Sequence, residues 1–165
     1  MAKLGDQTDF SYRVSKVTKV VDGDTIDVII DLGFDIMYKS RVRLFGIDTP
    51  ESRTRDLVET TFGLEAKRMI LEWLPIDSIQ KLITVKDKSG KYGRILGKFE
   101  IFDSEEDRTT TVNDWMINNY HAVAYHGQSK DDIANEHLKN YQVLVEQNQI
   151  EFSQSDLNTY IISRS

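Results

Sequence analysis

Two carboxylates and a turn lie within four residues at Asp48-Thr49-Pro50-Glu51, directly after a strand-like alternation over residues 41–45. Pro50 favours an extended conformation at Thr49, which would turn the Thr49 carbonyl outward beside Asp48. Carboxylate and carbonyl oxygens are the ligands that a hard cation such as calcium takes. The segment alone fits a calcium site or an ordinary acidic turn equally well.

A second pair of carboxylates lies in Asp22-Gly23-Asp24, between two apolar runs. Asp-Gly in this setting is typical of a hairpin turn, and a hairpin is the simpler interpretation. If this turn lies beside Asp48 and Glu51, four carboxylates meet at strand ends. Their mutual repulsion would be relieved by a bound cation.

Residues 87–94 form a basic, glycine-rich stretch that contains Lys91, Tyr92 and Arg94. A solvated turn is the plain interpretation. The alternative is a phosphate-binding turn with an aromatic ring beside it. Arginine suits phosphate because its planar fork donates two hydrogen bonds and keeps its charge.

These three stretches, in this order and together with Arg43, resemble the staphylococcal nuclease (thermonuclease) family. The resemblance extends more weakly over roughly residues 17–145, most of the chain. It implies an α+β fold, a five-stranded β-barrel of the oligonucleotide-binding (OB) type with three helices. It also implies a calcium-dependent endonuclease that hydrolyses phosphodiester bonds of DNA and RNA and prefers single or denatured strands.

The resemblance assigns a calcium ion to the acidic segments. Asp24 and Asp48 would bind it directly, together with the carbonyl oxygen of Thr49. Asp22 would bind through water or at longer range. The residue types agree with these roles, because all of them offer oxygen donors.

The resemblance also assigns the catalytic and substrate-binding residues. Glu51 would orient or deprotonate the attacking water, and Arg43 and Arg94 would clamp the phosphate as charge develops. The remaining substrate contacts would come from Lys91, Tyr92 and Tyr125. Tyr125 would stack on a base, since an aromatic ring accepts any base.

Several of these residues have structural alternatives. Arg43 could form a salt bridge with a nearby acid, and Arg41 shares its face of the strand. Tyr92 and Tyr125 could pack in the core. The three histidines show no metal-ligand spacing, so we interpret them as surface or packing residues and assign them no role.

The chain departs from the family pattern at two places. Asp27 adds negative charge where a basic or neutral residue is expected, and this would weaken substrate binding. The tryptophan that commonly closes the core after the third helix is missing, with Ile150 or Phe152 as the substitute.

A catalytically silent module of the same family that binds nucleic acid or protein is the alternative function. The retention of every acid and of both arginines named above favours the enzyme. The net charge of −6 disfavours a general duplex binder and a plain oligonucleotide-binding protein. With only Arg43, Lys91 and Arg94 in the cleft, we expect a log–log salt slope of roughly −2 for a single strand.

Length and composition fit one ordinary globular domain. The chain has 165 residues, of which 39% are hydrophobic and 29% charged, and it has no cysteine. We expect a monomer without a membrane segment. No signal peptide is evident near Met1, which predicts a cytoplasmic protein, although a secreted form whose signal has been removed stays open.

The elements that would position the site follow from the apolar patterns. Strands are predicted over residues 10–21, 25–31, 37–45, 81–85 and 95–102. Helices are predicted from Phe62 to Leu74, where Pro75 stops the pattern, over 112–120, and from Ser129 onward. This gives a flexible leader (1–9), one nuclease domain (10–150) and a C-terminal tail (151–165).

Overall fold

The computed structural model describes residues 9–85 and 94–164. Its strands are β1 (Asp9–Asp22), β2 (Thr25–Asp31), β3 (Met37–Leu44), β4 (Ile47–Asp48), β5 (Gln80–Val85), β6 (Ile95–Asp103), β7 (Arg108–Thr111) and β8 (Val123–Ala124). Its helices are α1 (Leu57–Trp73), α2 (Val112–Asn118), α3 (Lys130–Glu146) and α4 (Gln154–Arg164). The predicted leader, apart from Asp9, lies outside the described residues.

Five strands close into a barrel, which confirms the predicted α+β class and OB-type fold. β1, β2 and β3 form an antiparallel meander, and β5 and β6 continue the sheet on the other side of β1. The barrel closes where Val42–Leu44 of β3 pair in parallel with Ile95–Gly97 of β6. Gly97 lets β6 approach β5 closely at this point, because a Cβ atom there would lie 2.6 Å from Leu82 and 3.1 Å from the Ile83 carbonyl.

The long first strand carries an apolar residue every third position rather than every second. Val14, Val17 and Val20 are buried inside the barrel. Three register shifts, between Val14 and Lys16, Val17 and Lys19, and Val20 and Asp22, accommodate this spacing. Each bulge adds one residue, so the side chains between the buried valines stay on the outer face.

Helix α1 covers one end of the barrel and leads directly out of the site loop. Asp56 caps it by accepting hydrogen bonds from the amides of Val58 and Glu59, both at 3.1 Å. Ala66 and Ile70 of α1 are fully buried in the barrel core. The helix ends before Pro75, as the sequence predicts.

A second apolar cluster joins α1, α3 and α4, and it alters the prediction for the C-terminus. The sequence predicts a tail over residues 151–165, but Gln154–Arg164 form a fourth helix. Leu157 is fully buried against this cluster, and Tyr160 and Arg164 both donate to the Asp56 carboxylate. Phe152 also packs here, with its ring centroid 5.7 Å from that of Phe62.

No helix in the described part of the chain has both the length and the apolarity that crossing a bilayer requires.

Candidate functional site

A small cavity of about 210 Å³ opens where β1, β3 and β4 end and the loop into α1 begins. It is lined by most of the residues that the sequence singles out: Asp22, Asp24, Arg43, Asp48, Thr49, Glu51 and Arg94. The structure therefore brings two separate acidic segments and two arginines together. Strand pairing explains this, because Asp22 lies opposite Thr25 and Thr25 lies opposite Arg43.

Arg43 lies between two carboxylates of the cavity. Its Nη1 atom is 3.3 Å from Oδ2 of Asp24, and its Nη2 atom is 3.7 Å from Oδ1 of Asp48. The side chain is 18% exposed, so one edge of the guanidinium still faces the cavity. Nη1 also donates to the Leu44 carbonyl at 3.1 Å. Arg43 thus forms the salt bridges of the structural alternative and at the same time lines the site.

Asp24 fixes the backbone of the segment that carries Thr49. Its Oδ2 atom accepts a hydrogen bond from the Thr49 amide at 3.1 Å, and Oδ1 accepts from the Thr25 hydroxyl at 3.0 Å. Gly23 permits the close approach, since a Cβ atom there would lie 2.9 Å from Ala66 and 3.1 Å from Thr49. The Thr49 hydroxyl is buried without a hydrogen-bond partner in the described part of the chain.

Asp22 connects the end of β1 to the loop that follows Glu51. Its Oδ1 atom accepts hydrogen bonds from both the hydroxyl and the amide of Ser52. Ser52 is buried. One oxygen of the Asp22 carboxylate therefore holds the residue that follows Glu51 in place.

Helix α1 holds the backbone of Glu51 through two residues one turn apart. The Glu51 amide donates to Oε1 of Glu59 at 3.3 Å. A Cβ atom at Gly63 would lie only 2.3 Å from the Glu51 carbonyl oxygen, so the loop rests directly on the helix. Burial raises the pKa of Glu59. The Glu51 side chain itself is exposed.

His137 is a contact of the site that the sequence interpretation missed. Its Nε2 atom lies 2.7 Å from Oδ2 of Asp48, and the residue is 8% exposed. A signal existed, because His137 shares a helix face with the buried residues Tyr141 and Leu144. A titratable residue on an apolar face needs a polar partner. His137 is therefore a packing residue, as interpreted from the sequence, and it also contacts Asp48, which the sequence did not predict.

Whether the cavity could bind calcium depends on the chemistry of the donor atoms that its side chains offer. In the described residues no three Asp, Glu or His side chains converge closely enough to form a metal centre. Asp24 and Asp48 instead share Arg43. The cavity still offers the carboxylates of Asp24 and Asp48, both hard oxygen donors. The residues therefore fit calcium by donor type, with Arg43 neutralising the carboxylates in this arrangement.

Of the three predicted substrate contacts, Tyr125 is within the described part of the chain. Lys91 and Tyr92 lie outside the described residues. Tyr125 follows β8, which pairs with β4, and its amide donates to the Gly46 carbonyl at 2.8 Å. Its ring is 48% exposed and does not line the cavity, so core packing does not account for it.

Arg41, the neighbour of Arg43 on the strand face, has a different partner. Its Nε and Nη2 atoms donate to the two carboxylate oxygens of Asp27 at 2.8 and 3.1 Å. The two residues lie directly opposite each other on β3 and β2. The extra negative charge of Asp27 is therefore neutralised locally, and Arg43 is the arginine that faces the cavity.

Comparison with known proteins agrees with this geometry. A sequence model of the family described as staphylococcal nuclease homologue matches residues 41–152. The chain is 31% identical over 122 residues to Protein ParB of Escherichia coli, in an alignment that covers 70% of this chain. The chain spans 60% of the length of that relative. Such a domain indicates a nuclease-like or nucleic-acid-binding function. The chain belongs to the staphylococcal nuclease homologue family.

Proposed function

We propose that the protein is a calcium-dependent endonuclease that hydrolyses phosphodiester bonds of DNA and RNA. The observation that carries the proposal is the position of Arg43 between Asp24 and Asp48, in one cavity with Glu51 and Arg94. Hydrolysis needs a nucleophilic water, positive charge at the non-bridging oxygens and a general base. The cavity holds a residue for each of these requirements.

Glu51 acts as the general base. Its side chain is exposed at the cavity, where water has access, while its backbone is held by Glu59 and Gly63. Glu51 takes a proton from the attacking water. The water oxygen then forms a bond to phosphorus, and the phosphorus bond to the leaving oxygen breaks with its electron pair. A fixed backbone and a free carboxylate suit this role, because the base must meet its water in one geometry.

Arg43 and Arg94 hold the phosphate as charge develops on it. Both line the cavity, and each brings a planar guanidinium cation to it. The bidentate fork of an arginine matches two phosphate oxygens. When substrate enters, Arg43 exchanges part of its contact with the two carboxylates for the phosphate.

Calcium would be held by Asp24, Asp48 and the Thr49 carbonyl, with Asp22 at longer range. When bound, it would supply positive charge to the phosphate and to the attacking water. Asp24 is prepared for this role because it already fixes the Thr49 amide at 3.1 Å. The irregular oxygen set favours calcium over magnesium, which demands a tighter octahedral shell.

Single strands are the preferred substrate in this proposal. The exposed ring of Tyr125 can stack only on a base that has left the duplex. Lys91 and Tyr92 remain the expected contacts to a neighbouring phosphate. The net charge of −6 adds to this preference, because duplex binding depends on neutralising many phosphates.

The direct test is incubation of the purified protein with denatured DNA, native DNA and RNA, each with calcium, magnesium or a chelator. We expect rapid cleavage with calcium, little turnover with magnesium and none with the chelator, and faster cutting of denatured than native DNA. Strand binding without cleavage under every condition would show the silent binding module instead. Equal rates in calcium and magnesium would contradict the calcium assignment.

A further inference from the structure

Residues paired across β1, β2 and β3 form rows on the outer face of the meander, and the first of these rows lies at the candidate site. The first row is Asp22, Thr25 and Arg43, which line the cavity. Directly paired residues of adjacent strands share a face, so each later row lies on the same outer surface. The three later rows are Lys19–Asp27–Arg41, Lys16–Ile29–Lys39 and Arg13–Asp31–Met37.

These three later rows carry five basic and two acidic side chains, whereas the whole chain has a net charge of −6. The acids already have partners on the face. Asp27 is neutralised by Arg41, and Asp31 accepts the Gly33 amide at 2.8 Å. Positive charge is therefore concentrated on one surface of an acidic protein.

The cations that remain are Arg13, Lys16, Lys19 and Lys39, all exposed. Within this group, and among the residues that the structure describes, only Lys16 has an ion pair, a 3.7 Å contact to Asp77 that is open to solvent. Such a pair contributes little. The bulges of β1 are what keep Lys16 and Lys19 on this surface, because each one restores the outward direction of the following residue.

An exposed apolar hairpin tip lies at the far end of the rows. The turn between β2 and β3 and the first residue of β3 present Leu32, Phe34, Ile36 and Met37, and Phe34 is 97% exposed. The turn is well ordered, since the Leu32 amide donates to the Ile36 carbonyl and the Ile36 amide to the Gly33 carbonyl, both at 2.9 Å. Large exposed apolar groups at one place mark an interaction site.

We infer that this basic outer face and its hairpin tip form an extended binding track for the single strand that enters the site. Lys39 lies four residues from Arg43, about 13 Å along β3, so phosphates can follow the rows away from the cavity. Phe34 at the tip then offers a ring on which an unpaired base stacks. The combination of a phosphate-attracting stripe and an exposed aromatic ring fits a nucleic-acid strand better than a membrane or a protein. The inference rests on the proposed function, since the strand is the substrate of that site.

The test compares two variants that remove the same charge. The track variant is Lys16→Ala, Lys19→Ala, Lys39→Ala, and the control is Arg108→Ala, Lys130→Ala, Lys139→Ala, whose side chains are also exposed but lie elsewhere. Binding of fluorescent oligothymidylates of four and sixteen nucleotides is measured by anisotropy with chelator present, so that no strand is cut.

We expect the track variant to bind the sixteen-mer roughly tenfold or more weakly and the four-mer almost unchanged. The wild-type log–log salt slope for the sixteen-mer should be roughly −4, steeper than the roughly −2 expected from the cleft cations alone. The track variant should be shallower than wild type by about 2, because each lysine that neutralises a phosphate of a single strand contributes roughly 0.7 to the slope. Phe34→Ser should weaken sixteen-mer binding by roughly 5- to 100-fold, while the matched Phe102→Ser on β6 should not.

A track variant that binds the sixteen-mer no worse than the control variant would overturn the inference. Binding of wild type and of the track variant to phosphatidylserine vesicles is measured as well. If the track variant loses vesicle binding but binds the oligonucleotides like wild type, the inference is also overturned, because the surface then recognises a membrane. The binding test does not depend on cleavage, because chelator is present. If the protein binds the strand along the track but does not cleave it in the calcium experiment above, the proposed function is refuted and the binding track is not.

Discussion

The Nε2 atom of His137 lies 2.7 Å from Oδ2 of Asp48 and joins α3 to the candidate calcium site. This contact occupies one carboxylate oxygen and leaves Oδ1, 3.7 Å from Arg43, to face the cavity. Side chains that orient a metal ligand typically change metal affinity by 10- to 100-fold when they are removed. We therefore expect His137→Leu to weaken calcium binding by at least about tenfold, as measured by calorimetry.

Two further variants separate orientation from simple packing. His137→Gln retains an amide donor in place of Nε2 and should keep most of the calcium affinity. His126→Gln changes an exposed histidine and should have no effect. A folded His137→Leu variant with wild-type calcium affinity would show that the contact does not position Asp48.

The contact between Gly63 and the Glu51 backbone predicts that Gly63→Ala impairs catalysis. Alanine normally favours a helix, but its Cβ atom here would lie 2.3 Å from the Glu51 carbonyl oxygen, and the loop must move. Displacing a catalytic group by about 1 Å can cost roughly 100-fold in rate. We expect kcat to fall by a factor of roughly 10 to 100 while the helix content is unchanged. Leu64→Ala, on the exposed side of α1, is the control, and equal kcat for both variants would argue against this role of α1.

The different partners of Arg41 and Arg43 predict different sensitivities to lysine. Arg43→Lys should raise the barrier by about 3–4 kcal/mol, because a point charge cannot replace the guanidinium fork on a phosphate. Arg41→Lys keeps a cation opposite Asp27 on the outer face and should change the rate of cleavage of a short oligonucleotide by less than about threefold. The measurement is the initial rate of cleavage of the short oligonucleotide by wild type and by each of the two variants. A nearly wild-type rate for Arg43→Lys would assign Arg43 a structural role.

Because His121 is buried, we predict that the protein loses stability as the pH falls, an effect that is unrelated to the site. Burial lowers the pKa of His121 from 6.5 to about 4, and its ring stacks on Trp115. Below pH 6.5 the unfolded chain therefore binds a proton that the folded chain excludes. The free energy of unfolding should fall as the pH drops from 6.5 to about 4, by up to about 3 kcal/mol, and be unaffected by this residue above pH 6.5. Urea unfolding of wild type and His121→Gln across this range checks the result, and parallel curves would contradict it.

The strands, most helices and the residues of the cavity could be predicted because local patterns and the family resemblance supply different parts of the answer. The Asp22-Gly23 turn, the apolar runs and Pro75 indicate where strands and helices end, and by themselves they predict a mixed, largely antiparallel sheet. The resemblance supplies the barrel and the joint site of Asp24, Arg43 and Asp48.

The features that the sequence does not predict depend on contacts between distant parts of the chain. His137 reaches Asp48 across 89 positions, and Arg164 reaches Asp56 across 108. The pattern of α4 is weak on its own, and contacts with distant residues stabilise the helix: Leu157 packs on the α1–α3 cluster, and Tyr160 and Arg164 donate to Asp56. The salt bridge between Arg41 and Asp27 is likewise hidden in the sequence, because the register of β2 against β3 is needed to see it.

The most direct test of the proposed mechanism is the rate of single-strand cleavage by wild type and Glu51→Gln, each with calcium and with chelator. Glutamine retains the shape of the side chain but cannot take a proton from water. We predict calcium-dependent cleavage by wild type and a rate that is lower by roughly 10² to 10⁴ in the variant, with strand binding unchanged. Calcium-dependent cleavage by Glu51→Gln at the wild-type rate would contradict the central claim that this cavity, with Glu51 as base, hydrolyses the phosphodiester bond.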